Sequence, residues 1–235
     1  MNGSASDDEV PTSLRRWRFV LTAGIMVLLL AGALMLGLGI DRQQPAPPAA
    51  KETAGTPRAS VGHTAARDGK ASGSPGGEQG TTVLSASRPL SITIPAIKVT
   101  STLEDLALGR DRAMETPRDP DKAGWYSPGP PPGARGPSVI AGHVTWNRAP
   151  AVFFKLAELD PGDRIEIRRA DGTTATFTVD RTAVYPKDRF PTVEVYRNLD
   201  HAGLRLITCG GDYSAAESHY ADNVVVYATL TGSHT

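Results

Sequence analysis

The distribution of hydrophobic and polar positions divides the chain into three parts. Residues 19–40 (FVLTAGIMVLLLAGALMLGLGI) form one apolar block without a charge or a proline. Residues 41–88 consist mainly of Pro, Ala, Gly, Ser and Thr, with few large hydrophobic side chains. From residue 89 to 231, short apolar runs recur between Pro, Gly and Asp. The pattern predicts a hydrophobic helix, a linker and one folded domain.

The folded domain has the pattern of a β protein. In RIEIRRADGTTATFTVD, apolar side chains at Ile165 and Ile167 alternate with polar ones, and the alternation continues after Asp171-Gly172, a hairpin turn signal. SVIA and VVVY are continuous apolar runs, as expected of strands buried on both sides. The single good helical candidate is Ala149–Leu159. We therefore expect a mostly β fold, a closed or nearly closed barrel of about eight strands with short helices.

The apolar block at residues 19–40 is long enough to cross a bilayer, which takes a helix of about 20 residues. A cleaved signal peptide is the weaker alternative, because its apolar core is about 7–15 residues long. Arg15, Arg16 and Arg18 directly precede the block. The positive-inside rule then places residues 1–18 in the cytoplasm and the folded domain outside. We expect a single-pass plasma-membrane anchor with an extracytoplasmic domain.

The linker at residues 41–88 has no apolar periodicity and cannot bury enough surface to offset the entropy of ordering. We expect a disordered stalk between membrane and domain, with an end-to-end distance on the order of 35–40 Å.

Charge and cysteine content narrow the classes of function. The 25 basic and 25 acidic side chains balance, and no basic stripe indicates nucleic-acid binding. The histidines and the one cysteine, Cys209, lack the paired spacing of metal sites, so we expect no metal and no cofactor. One cysteine also excludes an intramolecular disulfide and dithiol redox chemistry. Cys209 is then either a nucleophile or a buried small hydrophobic residue.

Two apolar strands end on reactive side chains. PSVIAG leads into His143, and LRLIT leads into Cys209, which Gly210 and Gly211 follow. Strand ends hold side chains rigidly, and misplacement by about 1 Å can cost about 10²-fold in rate. A thiol needs a partner to become a useful nucleophile, and histidine is the usual one. His143 is the candidate partner, and His219 is its main competitor.

These motifs resemble the sortases, in which the pair I-A-G-H and L-I-T-C occurs in this order. The resemblance covers Pro89 to Leu230 and is closest to the actinobacterial class F. Four stretches carry the class F similarity: A-V-F-F-K-L-A-E-L-D-P-G-D, Y-P-K-D-R-F-P-T, L-I-T-C-G-G-D and Y-A-D-N-V-V-V-Y-A.

The resemblance implies an eight-stranded sortase barrel and a two-step transpeptidation. Cys209 would attack an LPXTG-type sorting signal of a secreted protein and form an acyl-thioester, while His143 protonates the leaving amine. An amine of a cell-wall precursor would then resolve the thioester. The alternative is a catalytically weak extracytoplasmic β-barrel that only binds extended peptides.

Two positions depart from the sortase pattern. Sortases carry an arginine on the last strand, whereas no Arg or Lys follows Cys209 here. The corresponding position falls at Asn223 or Ala221. Asn223 could donate to an oxyanion, Arg189 could reach the site from its loop, or the enzyme is slow. Thr145 stands where relatives often have an aspartate, so His143 would be held by Thr145 or by a backbone carbonyl.

Overall fold

The computed structural model describes residues 45–49 and 83–235. The predicted cytoplasmic tail at 1–18, the predicted transmembrane helix at 19–40 and most of the predicted stalk lie outside these residues. Within the described ranges, no helix is long and apolar enough to cross a membrane.

Ten strands and one short α-helix make up the regular structure of the described residues. The strands are β1 (Pro89–Ile94), β2 (Val99–Leu106), β3 (Ala123–Tyr126), β4 (Gly136–Ala141), β5 (Thr145–Trp146), β6 (Ala149–Pro150), β7 (Arg164–Arg169), β8 (Thr174–Pro186), β9 (Ala202–Ser214) and β10 (His219–His234), and the helix is α1 (Thr192–Tyr196). Three single-turn 3₁₀ helices are found at Pro95–Ile97, Leu156–Glu158 and Lys187–Arg189.

Eight of these strands close into a barrel in the order β1-β2-β3-β4-β9-β10-β8-β7. The remaining pair, β5 and β6, forms a small separate ribbon. Large apolar side chains with no exposed surface, among them Ile92, Ile140, Phe177 and Leu204, fill the barrel interior. The prediction of a mostly β, eight-stranded barrel is confirmed.

The β7–β8 hairpin forms at the predicted turn. Ile165 pairs with Phe177, so the apolar residues of both strands face the interior. Gly172 has φ +85°, the left-handed region that glycine enters without strain. The Asp171 carboxylate accepts hydrogen bonds from the backbone N–H and the hydroxyl of Thr173, and these two bonds lower the pKa of Asp171.

The prediction of a helix at Ala149–Leu159 is wrong. This segment forms β6, a turn and the 3₁₀ helix at Leu156–Glu158. Its backbone N–H groups bond to other segments, since Val152 donates to the carbonyl of Pro120 and Phe153 to that of His143. Phe153, Leu156 and Leu159 are all buried, and their spacing of three fits a 3₁₀ turn better than an α-helix.

A second apolar cluster covers the outer face of the barrel. Val195 of α1 packs there against Val139 of β4, Ile207 of β9 and Val225 of β10, and Tyr227 completes the cluster. Helix α1 is thereby fixed against the strands that carry the candidate site.

Candidate active site

His143 follows β4, whereas Cys209 lies within β9, which continues to Ser214 because it stays paired with β10. The prediction that Cys209 ends its strand is therefore wrong. Strands β4 and β9 pair in parallel up to Ala141 and Ile207. His143 and Cys209 each come two residues later, so extending this register places them side by side. Neighbouring strands lie about 4.8 Å apart, so the two side chains start from adjacent backbone positions.

Hydrogen bonds continue past the end of the strand pairing. Gly142 N–H donates to the carbonyl of Ile207 (3.1 Å), and the hydroxyl of Thr208 donates to the carbonyl of Gly142 (2.8 Å). Thr208 is buried. The residue before His143 is thus bonded directly to the residue before Cys209.

Glycine is required at position 142 by close packing. A Cβ there would lie 2.6 Å from Phe153 and 2.7 Å from Val152. Gly211, after Cys209, has φ +73°, and a Cβ there would meet the carboxylate of Asp222. The glycines of the IAGH and TCGG motifs therefore let the backbone approach neighbouring segments closely.

One cavity of about 290 Å³ contains both candidate reactive groups. Cys209 is half-buried and lines this cavity together with Thr145 and Trp146 of β5. The lining residues include His143, Thr145, Trp146, Lys187, Cys209, Tyr213, His219 and Tyr220. The cavity is large enough for a few side chains of an extended peptide beside the thiol.

The imidazole of His143 is held by a backbone carbonyl. Its Nε2 donates to the carbonyl oxygen of Pro117 (2.8 Å). Because a carbonyl only accepts, Nε2 carries a proton in either charge state and Nδ1 is the nitrogen left to exchange one. Trp146 packs against the ring, with centroids 5.0 Å apart. Of the two holders expected from the sequence, the carbonyl is observed.

Thr145 has a different partner. Its Oγ1 lies 2.9 Å from the hydroxyl of Tyr220. Tyr220 is buried, and burial raises the pKa of its phenol. The hydroxyl of Tyr220 also donates to the carbonyl of Pro45 (3.4 Å), a residue of the predicted stalk. Tyr220 therefore stays neutral, and it lines the cavity together with Cys209.

The predicted oxyanion donors differ in their positions. Asn223 of β10 pairs directly with Cys209 across the sheet, on the side away from β4. The side chain of Arg189 is 79% exposed, its nearest carboxylate contact is Asp188 at 3.9 Å, and it does not line the cavity. Lys187 does line it.

Sequence reasoning missed Lys187. It comes directly after Pro186, the last residue of β8, which pairs with Asp222 next to Asn223. The sequence did offer a hint, because Lys187 lies in the same Y-P-K-D-R-F-P stretch as Arg189. Only the folded structure shows that Lys187, and not Arg189, lines the cavity.

His219 also lines the cavity, but its ring is engaged by its own turn. Nε2 lies 3.3 Å from the carboxylate of Glu217, and Nδ1 lies 3.3 Å from the carbonyl of the same residue. Both nitrogens of this exposed ring therefore have partners, whereas His143 keeps Nδ1 for proton transfer.

No group of His, Cys, Asp or Glu side chains within the described ranges is arranged to hold a metal ion.

A thiol and an imidazole on one cavity are the groups of a cysteine enzyme of the transfer or hydrolysis type. The Sortase domain family matches residues 92–231, more than half of the chain. The chain therefore belongs to the sortase family and is a cysteine transpeptidase. A search of curated proteins found no match.

Solved structures similar to this chain are sortases from several bacteria. Sortase A of Listeria monocytogenes is 19% identical, with 64% of this chain and 90% of that chain covered and a TM-score of 0.46. A sortase D5 transpeptidase of Clostridium perfringens is 23% identical over 62% and 79%, with a TM-score of 0.46. Sortase A of Corynebacterium diphtheriae is 22% identical over 63% of each chain, with a TM-score of 0.47.

Proposed function

We propose that this sortase cleaves an LPXTG-type sorting signal through an acyl-thioester on Cys209 and transfers the secreted protein to an amine of a cell-wall precursor. The observation that carries the proposal is the placement of Cys209 and His143 on one cavity, each two residues after the last paired residues of β9 and β4. The motifs from Ala151 to Ala228 support class F as the subtype.

In the first step, the Cys209 thiolate forms a bond from Sγ to a backbone carbonyl carbon of the signal. The carbon–nitrogen bond of that peptide then breaks, and the imidazolium of His143 gives its Nδ1 proton to the departing amine. The proton on Nε2 stays there and remains hydrogen-bonded to the carbonyl oxygen of Pro117. This bond fixes the ring during the transfer.

In the second step, the amine of the cell-wall precursor attacks the thioester carbon. The carbon–sulfur bond breaks and returns the thiolate, while Nδ1 of His143 accepts the proton that the amine loses. The enzyme is thereby restored with the same number of protons, and a new amide joins the protein to the wall precursor.

Each tetrahedral intermediate carries a negative oxygen that needs stabilisation. Lys187 lines the cavity, whereas Asn223 does not line it but pairs with Cys209 on the neighbouring strand. We assign the electrostatic part of this stabilisation to Lys187 and keep Asn223 as the candidate hydrogen-bond donor. Arg189 would have to leave its exposed position to contribute.

The proposed location is the plasma membrane, with the barrel outside the cell. The apolar block at 19–40, the arginines before it and the Pro/Ala/Gly/Ser linker at 41–88 support this placement. A barrel on such a stalk would meet secreted proteins as they emerge and the wall precursors above the membrane.

The test uses the full chain in mild detergent, a fluorogenic LPXTG-type peptide and an excess of an amine nucleophile. We expect a transpeptidation product that is lost in Cys209→Ala and in His143→Ala. His219→Ala is the matched control, because His219 lines the same cavity, and it should retain activity.

A peptide-binding barrel without chemistry predicts a different result. Cys209 would then react with iodoacetamide no faster than a free thiol, and no product would form with any of a panel of sorting motifs. Product formation that persisted in Cys209→Ala would contradict the assigned nucleophile.

A further inference from the structure

A second polar cavity, of about 210 Å³, lies on the outer face of the barrel. Its floor is a cross-strand row in which Tyr227 of β10 pairs with Arg181 of β8 on one side and Arg205 of β9 on the other. Arg205 and Cys209 are four residues apart on β9 and face the same side, so about 13 Å separates them. None of the residues lining this cavity lines the cavity at Cys209.

Basic groups outnumber acidic ones around this cavity. Three arginines line it, Arg181, Arg197 and Arg205, against the two carboxylates Asp180 and Glu194. His201 also lines it, with Nδ1 2.8 Å from a carboxylate oxygen of Asp200 outside the lining set.

Both carboxylates already have partners. Glu194 accepts a hydrogen bond from Arg181 at 2.5 Å. Asp180 accepts one from the hydroxyl of Thr229 at 2.8 Å. Arg181 is further bonded to the hydroxyl of Tyr185 at 3.2 Å. Glu194 and Asp180 are therefore hydrogen-bonded to Arg181 and Thr229. Among the described residues, neither carboxylate forms an ion pair with Arg205.

Arg205 is the unusual group in the cavity. Its side chain belongs to a residue only 7% exposed, and among the described residues it makes no ion pair. Nη1 donates to the carbonyl of Leu204 (3.0 Å), whereas the buried Nε has no hydrogen-bond partner. Burial, together with the charges of Arg181 and Arg197, lowers the pKa of Arg205, and Tyr227 and the charge of Asp180 oppose this shift only in part.

Stacking on Tyr227 compensates this buried charge only in part. The guanidinium carbon of Arg205 lies 4.4 Å from the ring centroid, but that of Arg181 lies 3.5 Å from the same ring. Two cations therefore share one aromatic ring. A buried cation is stable only when paired and fully hydrogen-bonded, and neither condition is met for Arg205 by the described protein groups.

We propose that this cavity binds an oxyanion, a phosphate or a carboxylate group, with Arg205 as its central ligand and Arg197 at its entrance. A guanidinium presents several N–H donors in a planar fork that matches two oxygens of such a group. Arg197 follows α1 and is exposed, so it can close over the anion without a change in the barrel. The site is independent of the transpeptidation proposed above.

The experiment measures the thermal midpoint of the full chain with inorganic phosphate, with acetate and with sodium chloride at equal ionic strength. A ligand of the folded state raises the midpoint in a saturable manner. We expect phosphate or acetate to raise it well beyond chloride, and titration calorimetry to give the affinity. A larger shift with phosphate indicates a phosphorylated polymer or lipid as the source, and a larger shift with acetate indicates a peptide or sugar carboxylate.

Arg205→Met should abolish the shift, because methionine fills the site without charge. Arg197→Gln should lower the affinity at least tenfold and, at an exposed position, should leave folding intact. Arg164→Gln is the control, since Arg164 is an arginine paired with Glu166 on β7, and it should behave as the wild type. If Arg205→Met does not fold, Arg197→Gln alone decides.

Two results would overturn the proposal. One is equal stabilisation by phosphate, acetate and chloride in the wild type, which indicates a general salt effect. The other is an anion-specific shift that remains unchanged in Arg197→Gln and Arg205→Met, which places the anion elsewhere.

Discussion

The hydrogen bond from Thr208 to Gly142 gives a quantitative test of how the segments that carry Cys209 and His143 are held together. Thr208→Val keeps the shape of the side chain but removes the hydroxyl that donates to the carbonyl of Gly142 at 2.8 Å. Removing one partner of a buried hydrogen bond costs about 1–3 kcal/mol. For a domain of this size we expect the thermal midpoint to fall by about 3–10 °C.

The effect on catalysis should exceed the effect on stability. The lost bond links the residue before His143 to the residue before Cys209, and a displacement of about 1 Å between reacting groups can cost about 10²-fold. We expect the rate of acylation of Cys209, measured in single turnovers at a temperature well below unfolding, to fall about 10- to 100-fold.

Thr182→Val is the matched control for this prediction. Its hydroxyl donates to the carbonyl of Leu159 (2.9 Å), so the same type of bond is lost away from the cavity. It should lose comparable stability and keep its acylation rate. The reasoning is refuted if Thr208→Val has an unchanged midpoint, or if it acylates as fast as Thr182→Val.

Three further predictions concern single side chains. Lys187→Gln should slow acylation by about tenfold or more, whereas Arg189→Gln should stay within about twofold, and the reverse order would reassign the cation. Asn223→Ala should lower the rate with an intact thermal midpoint; an unchanged rate would exclude its amide as a donor. Burial raises the pKa of Tyr227 above its ordinary 10.0. The free energy of folding that this shift contributes is fully present below pH 10.0 and is lost as the pH rises further. Between about pH 10 and 11 the midpoint should therefore fall less steeply in Tyr227→Phe than in the wild type, and equal slopes would contradict this.

The alternation of apolar and polar residues was sufficient to predict the barrel, because it indicates which face of each strand is buried. The alternation at Ile165 and Ile167 and the continuous run at SVIA specify which strands face solvent on one side and which are buried on both. The segment from Ala149 to Leu159 misled because its buried residues recur every three positions. Their spacing is compatible with a helix, but the N–H groups of Val152 and Phe153 are taken by distant carbonyls.

The two reactive side chains could be predicted because each follows an apolar run in the sequence, and the parallel pairing of β4 and β9 places them together. The continuation of β9 past Cys209 to Ser214 was not predicted, because it depends on pairing with β10. Pro117 bonds to His143 and Lys187 lines the cavity, but both come from connecting segments whose positions depend on non-local pairing. The buried charge of Arg205 was equally hidden, because in the sequence it is one polar residue in an apolar strand.

The most direct test of Cys209 as the sortase nucleophile is the intact mass of the full chain after brief reaction with an LPXTG-type peptide without amine. We expect a mass increase equal to the N-terminal part of the cleaved peptide, located on Cys209 and released when an amine nucleophile is added. Peptide cleavage with no adduct on Cys209, or an adduct of the same mass in Cys209→Ala, would contradict it.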